Sequence, residues 1–230
     1  MIQTVQQFNP SVNSYVTTDE FLFQFQEYCL LNLTEEEKDS LHAYQGLFSK
    51  SINALLRGYC SKEVQYLPPE KQLRHYINHL DSALKKSTLP SKLIVYRDLG
   101  ERVSQWSALQ MIGTHVIDWG FTSACLTPGK ALSFSSRSQS SATMATILKI
   151  VLPSRVPAFY LDLLDDLDEQ ELLIARGGIY RVTDLEILPD DNRCLIELVY
   201  CTHFDNQVVI KHSEKVLKSP SLFKEGLFVD

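Results

Sequence analysis

Residues 165–178 read DDLDEQELLIARGG. Six of the ten residues from Asp162 to Glu171 are acidic, and Leu172, Leu173, Ile174 and Ala175 follow without a polar break. That is a charged loop running into a short strand apolar enough to be buried. Glu169 and Glu171 are two apart, so an extended chain would point both side chains to one side. Two carboxylates held that close resist joint ionisation and titrate as a coupled unit. One reading is a solvated acidic loop leading into a strand. The other is a carboxylate pair sharing a site.

The rest of the chain bounds the choice. Its 230 residues fit one domain, or one domain with a helical appendage, and 44% apolar residues support a sizeable core. A formal net charge of −6 argues against a protein built to grip nucleic acid or an anionic membrane. Cys29, Cys60, Cys125, Cys194 and Cys201 form no CxxC pair and no even framework, so they read as reduced thiols. His75 and His79 are four apart, but no Glu follows His75 and the metalloprotease pattern is missing; no metal site is expected. The stretch MIQTVQQFNPSVNSYV is not an ordinary secretory signal, although export by a signal-independent route would look the same. No apolar run is long enough to span a membrane.

The first ninety residues read as helices. Thr34 and Glu37 form a capping box, opening a segment that stops at Gly58. Leu41, Tyr44, Phe48, Ile52 and Leu55 recur at steps of three and four along it, which is one buried face. An earlier helix is expected from Thr18 to about Leu31, and a third from Pro69 to about Lys86. After Leu93 the texture becomes strand-like: LIVYR, GFTSACL, ATILKIVLP, ELLIA, GIYRVTDLEIL and RCLIELVYC, separated by Gly, Pro and Asn-Asp. One helix, Glu101 to Met111, interrupts the series, and Ser133 to Ser141 reads as a flexible loop. Helices first and strands later describe an α+β fold with a mostly antiparallel sheet.

Familiar phosphate-binding loops are missing: there is no GxGxxG and no Walker sequence. What remains is an arginine, a serine and the carboxylate pair, each at a strand edge. Arg97 closes LIVYR, where its planar fork can meet a carboxylate or a phosphate. Ser123 follows DWGF, where a hydroxyl can orient a carboxylate or simply fill a strand position. A carboxylate pair can stabilise a developing cation and take a proton from a nucleophile. Cleavage of a glycosidic bond through an oxocarbenium-like transition state needs both tasks.

The order of these pieces is informative. VYRDLG (95–100), GFTSAC (120–125) and EQELLIARG (169–177) resemble the three signature blocks of mono-ADP-ribosyltransferases of the arginine–serine–glutamate type, which include bacterial binary toxins and exoenzymes. Upstream, LTEEEKDSLHAYQGLFSKSINALLRG (33–58) is similar to the helix before that family's first strand. The resemblance implies two small perpendicular, mostly antiparallel sheets forming an NAD cleft, with an N-terminal helical layer. It implies that NAD+ is split at the nicotinamide–ribose bond and ADP-ribose passes to a protein side chain. By the same likeness Arg97 clamps the NAD phosphates, Ser123 positions the catalytic glutamate, and Glu171 is that glutamate. Glu169 activates the acceptor, Asn53 helps hold the nucleotide, and Phe134 either packs on the nicotinamide or anchors its own loop.

Glu at 169, where other members carry Gln, resembles the arginine-modifying branch, and the chemistry agrees: a protonated guanidinium needs an anionic neighbour to orient it and accept its proton. Asp162, Asp165, Asp166 and Asp168 fall in what would be the acceptor-recognition loop, where they would attract a basic partner surface. The chain departs from the pattern in two places. Ser123-Ala124-Cys125 replaces Ser-Thr-Ser, and Asp98 follows Arg97 where several toxins carry a basic residue or Gly.

The expected organisation is a helical layer over 1–90, a β-rich NAD-binding core over 91–202, and an extension over 203–230 that matches nothing. The expected activity is NAD-dependent protein-arginine mono-ADP-ribosylation by a monomeric bacterial effector, secreted into a host cell and acting in its cytoplasm. Its partners would be NAD+ and a target protein presenting an arginine, with no metal, nucleic acid or membrane span. The alternatives are an NAD glycohydrolase and a silent partner-binding domain of the same fold.

Overall fold

Thr34 caps the first long helix as its sequence requires. In the computed structural model, which describes residues 29–58, 68–98, 112–113, 115–135, 145–164, 169–188 and 193–203, Thr34 N–H donates to Glu37 Oε2 at 2.8 Å. Glu37 N–H donates back to Thr34 Oγ1 at 3.3 Å. The capping Glu37 is buried and also accepts from Ser82 Oγ at 2.6 Å and Lys86 Nζ at 2.7 Å. One side chain therefore closes α1 (Glu35–Ala43) and fastens it to α3 (Glu70–Lys86).

A π-helical turn, Tyr44–Phe48, joins α1 to α2 (Ser49–Arg57). Gly58 ends α2 with φ 76, the left-handed cap that glycine adopts without a Cβ penalty. Leu41, Tyr44 and Ile52 are buried, with Phe48 and Leu55 packed against them, so the predicted face exists. On α3, which follows Pro69, Leu73, Ile77, Leu80 and Leu84 supply the facing stripe. Of the earlier expected helix only its end, 29–31, is described.

Eight strands follow among the described residues: β1 (Leu93–Asp98), β2 (His115–Asp118), β3 (Thr122–Cys125), β4 (Ala145–Leu152), β5 (Ala158–Tyr160), β6 (Glu171–Ile174), β7 (Gly178–Leu188) and β8 (Arg193–His203). Their order is β2-β7-β8-β4-β1-β3-β6-β5, antiparallel except for β4 beside β8. β1 meets β4 over six Cα pairs but meets β3 only at Tyr96↔Cys125. That single pair joins a five-strand half to a three-strand half. The expected α+β class, with helices first and a mostly antiparallel sheet, holds.

The apolar run at 172–174 is continuous because both faces of β6 are covered. Leu173, with Phe159 of β5, packs against the helical layer; Leu172 and Ile174 join Ala158, Tyr160 and Ala124 in a second core. Two short strands escape the sequence pattern. HVID carries an exposed His115 and a buried Asp118, and AFY has only three residues, too few for alternation to register.

The serine-rich loop also begins later than expected. α4 (Pro128–Ser135) takes in Ser133 and Ser135, starting with proline in its first turn and with Thr127 accepting the Ala131 N–H at its carbonyl. Residues 136–141, the expected helix at 101–111, and Asp165, Asp166 and Asp168 lie outside the described residues. Among the described residues no helix is long and apolar enough to cross a membrane.

Candidate active site

The β3–β6 register brings Ser123 to Glu171. Ser123 pairs with Leu173 and Cys125 with Glu171, so Ser123 and Glu171 are diagonal neighbours on one face. The Ser123 hydroxyl donates to Glu171 Oε1. Arg97 arrives from the neighbouring strand: its Nη1 donates to the Ser123 carbonyl at 2.8 Å, just past the single β1–β3 pair. The three blocks, separated by 26 and 48 residues along the chain, thus meet at one junction.

Burial pushes the Glu171 carboxyl up to about 7, against the Ser123 hydrogen bond that favours its ionised form. The negative charge of Glu169 adds to the rise, and the Arg97 guanidinium opposes it. Nearby Cys125 is pushed up to about 12, by burial first and then by the charge of Glu171. That thiol is neutral at physiological pH and is no nucleophile. Ala124, whose neighbours in the block are Ser123 and Cys125, points into the opposite core at 2% exposure. The hydroxyl missing at 124 would therefore not have faced Glu171.

Strand alternation does not explain Glu169. Gln170 stands at φ 53, in the left-handed region, so the chain is not extended between the two glutamates. The turn is pinned on three sides. Asp162 Oδ2 accepts the Gln170 N–H at 2.6 Å and Oδ1 the Glu171 N–H at 3.0 Å. The Gln170 carbonyl accepts the Leu126 N–H at 3.0 Å, and its side-chain Oε1 accepts the Thr127 hydroxyl at 2.9 Å. Asp162, expected in a partner-facing loop, is instead turned inward onto this backbone. No local pattern marks it, because its partners are eight and nine residues away.

Asn53 is 5% exposed and hydrogen-bonded within the protein through both its amide nitrogen and its oxygen. Its Nδ2 donates to the Tyr44 hydroxyl at 2.9 Å and its Oδ1 accepts the Phe121 N–H at 2.8 Å. The Tyr44 phenol, held neutral by complete burial, donates to the Phe121 carbonyl at 3.4 Å. Beside it Arg57 pairs with Asp118, Nε to Oδ1 at 3.1 Å and Nη2 to Oδ2 at 3.2 Å, with both side chains sealed from solvent. Asp118 also accepts the Gly120 N–H at 2.9 Å and the Thr122 hydroxyl at 2.6 Å. This cluster fastens α2 to the β2–β3 turn, directly upstream of Ser123. Gly120 has to be glycine: a Cβ there would lie 2.6 Å from Asn53 Oδ1 and 2.8 Å from Arg57 Nε. The sequence marks Tyr44 only as part of a buried helix face; the polar roles of Tyr44 and Arg57, and Asp118 altogether, have no local signal beyond the DWGF turn. Phe134 falls within α4, and its side chain lies outside the described residues.

The family model for ADP-ribosyltransferase exoenzymes matches residues 20–203. The chain belongs to the ADP-ribosyltransferase exoenzyme family. Solved structures agree on the fold. The chain is similar to Plx2a, an ADP-ribosyltransferase toxin from Paenibacillus larvae, at 20% identity and a TM-score of 0.62, covering 79% of this chain and 94% of that one. It is similar to the Clostridium limosum C3 exoenzyme at 17% identity and a TM-score of 0.63, covering 82% and 97%. An ADP-ribosyltransferase from Clostridium botulinum matches at 16% identity and a TM-score of 0.61, covering 81% and 98%. Among curated proteins no relative was found. ADP-ribosyltransferases of this family use NAD as substrate, and the BECa toxin of C. perfringens has been solved with NADH.

Proposed function

We propose that this ADP-ribosyltransferase is an NAD-dependent protein-arginine mono-ADP-ribosyltransferase, a bacterial effector acting on a host protein. The observation that carries the reading is the Ser123–Glu171 hydrogen bond with Arg97 on the Ser123 carbonyl and the charge of Glu169 felt at Glu171. The ionised Glu171 stabilises the ribosyl cation that develops as the C1′–nitrogen bond to nicotinamide breaks. Ser123 holds that carboxylate in place, and Arg97 supplies a fixed positive charge for the NAD phosphates. Asn53 acts on the nucleotide through the loop it anchors.

Glu169 then orients the acceptor guanidinium and takes its proton as the acceptor nitrogen bonds to C1′. Support for arginine comes from Vis, an ADP-ribosyltransferase solved with agmatine, to which this chain is 21% identical. Agmatine carries the same guanidinium group as arginine.

The test supplies labelled NAD with a host-cell lysate and measures both protein labelling and nicotinamide release. Labelling that disappears in Glu171→Ala is expected. Nicotinamide release without labelling would select an NAD glycohydrolase, and neither activity would end the enzymatic reading. Glu169→Gln is expected to reduce transfer more than NAD hydrolysis; equal loss of both would undo the division of roles.

A further inference from the structure

Asp162 has no role in the chemistry above, yet both its carboxylate oxygens are engaged. Oδ2 accepts the Gln170 N–H at 2.6 Å and the Tyr160 hydroxyl at 3.3 Å, while Oδ1 accepts the Glu171 N–H at 3.0 Å. Asp162 is itself anchored from its own side. It lies in a single 3₁₀ turn, Leu161–Leu163, directly after β5, and Leu161 is wholly buried among the helices.

Successive N–H groups in an extended chain point to opposite sides, so one carboxylate cannot reach two of them. Here it does, because Gln170 turns the chain at φ 53. That conformation is costly for a residue with a Cβ, and glutamine lacks the short polar side chain that lets Asn or Asp adopt it. The turn must therefore be imposed by its contacts. Leu126 and Thr127 hold Gln170 at its carbonyl and side-chain oxygens, but only Asp162 holds both N–H groups on either side of the Gln170 Cα–carbonyl segment. Hydrogen bonds to an ionised acceptor are also the stronger kind.

We propose that Asp162 is the positioning residue of the carboxylate pair: by accepting the N–H groups of Gln170 and Glu171, it enforces the left-handed turn that aims Glu171 at Ser123 and sets Glu169 beside it. The inference rests on the reading of Glu171 as the cation-stabilising group. It explains why the acid nearest β5 is separated in function from the rest of the acidic run. An asparagine could not replace it fully, since its amide nitrogen would face one N–H donor with another.

The experiment compares wild type with Asp162→Ala, Asp162→Asn and the double variant Asp162→Ala/Gln170→Gly. It measures kcat and KM for nicotinamide release from NAD, and hydrogen exchange at the amides of residues 170 and 171. Asp162→Ala is expected to lower kcat about 10- to 100-fold while KM for NAD moves by no more than about threefold. Both amides should lose protection. Glycine at 170 adopts the turn without the penalty, so the double variant should recover about tenfold in kcat. A purely structural role would give no such recovery. Wild-type kcat with protected amides in Asp162→Ala would overturn the proposal, as would a loss that Gln170→Gly leaves untouched. If Asp162→Ala does not fold, Asp162→Asn with and without Gln170→Gly carries the same comparison. If wild type releases no nicotinamide, the functional reading falls, while amide exchange still decides whether Asp162 holds the turn.

Discussion

Ser123 and Glu171 lie on adjacent antiparallel strands, two positions out of direct register, and the Ser123 hydroxyl donates to Glu171 Oε1. The diagonal relation puts a small donor beside a carboxyl that burial pushes up to about 7. Catalysis and stability make opposite demands on that carboxyl. The reaction needs it ionised; the protein interior favours it neutral.

Activity is therefore expected to fall as pH drops through about 7, where Glu171 takes up its proton. A profile of kcat for nicotinamide release between pH 5 and 9 checks this. An acid limb near the ordinary carboxylate value of 4.5 would sink it.

Stability should move the other way. The folded-state pKa of Glu171 is raised, so between about 4.5 and about 7 the native protein binds more protons than the unfolded chain. Its contribution is present at low pH and is lost as pH rises through about 7. Glu171→Gln keeps the shape and removes the charge. The variant should be more stable than wild type at pH 8 by up to about 3 kcal/mol, and no more stable at pH 4, while losing activity. Urea unfolding of the two proteins at both pH values measures the difference.

Ser123→Ala removes the hydrogen bond that favours the ionised carboxylate. Hydrogen bonds to charged groups contribute about 1.5–3 kcal/mol, so a loss of about 10- to 100-fold in kcat at pH 8 is expected. The acid limb should also move to higher pH. An unchanged limb would mean that Ser123 does not act on Glu171.

The Arg57–Asp118 pair should matter for folding rather than chemistry. It is sealed from solvent and tied to Gly120 and Thr122. Arg57→Met leaves a buried carboxylate without its cation, at a cost of about 3–5 kcal/mol. Unfolding by urea at pH 7 should register that loss. A cost below about 1 kcal/mol, as at a surface pair, would contradict it.

Gly120→Ala tests the same junction sterically. The new Cβ would lie within 3 Å of Asn53 and Arg57 side-chain atoms, so one must yield. A destabilisation of about 1–3 kcal/mol is expected, as for other overpacked interiors. A neutral substitution would show that α2 can withdraw from the β2–β3 turn without loss.

Much of this was legible in the chain itself. Thr34 with Glu37, Gly58 and Pro69 mark helix ends because capping is local: donors and acceptors lie within a few residues of one another. The run at 172–174 announces a strand covered on both faces because burial is written in composition. Arg97, Ser123 and Glu171 stood out by the order of their sequence blocks.

What tertiary structure alone decided are the contacts closed over distance. Arg57 meets Asp118 across 61 residues, and Asn53 meets Phe121 across 68, with no periodicity to betray either. In the sequence the four aspartates of the run 162–171 read alike, and spacing suggested that Glu169 and Glu171 shared a strand face. The fold divides it instead. Asp162 turns inward to hold the backbone, Gln170 breaks the extended chain, and Glu171 alone opens the strand. A carboxylate reads the same in sequence whether it faces water or an N–H group; only the packed backbone determines which donors it meets.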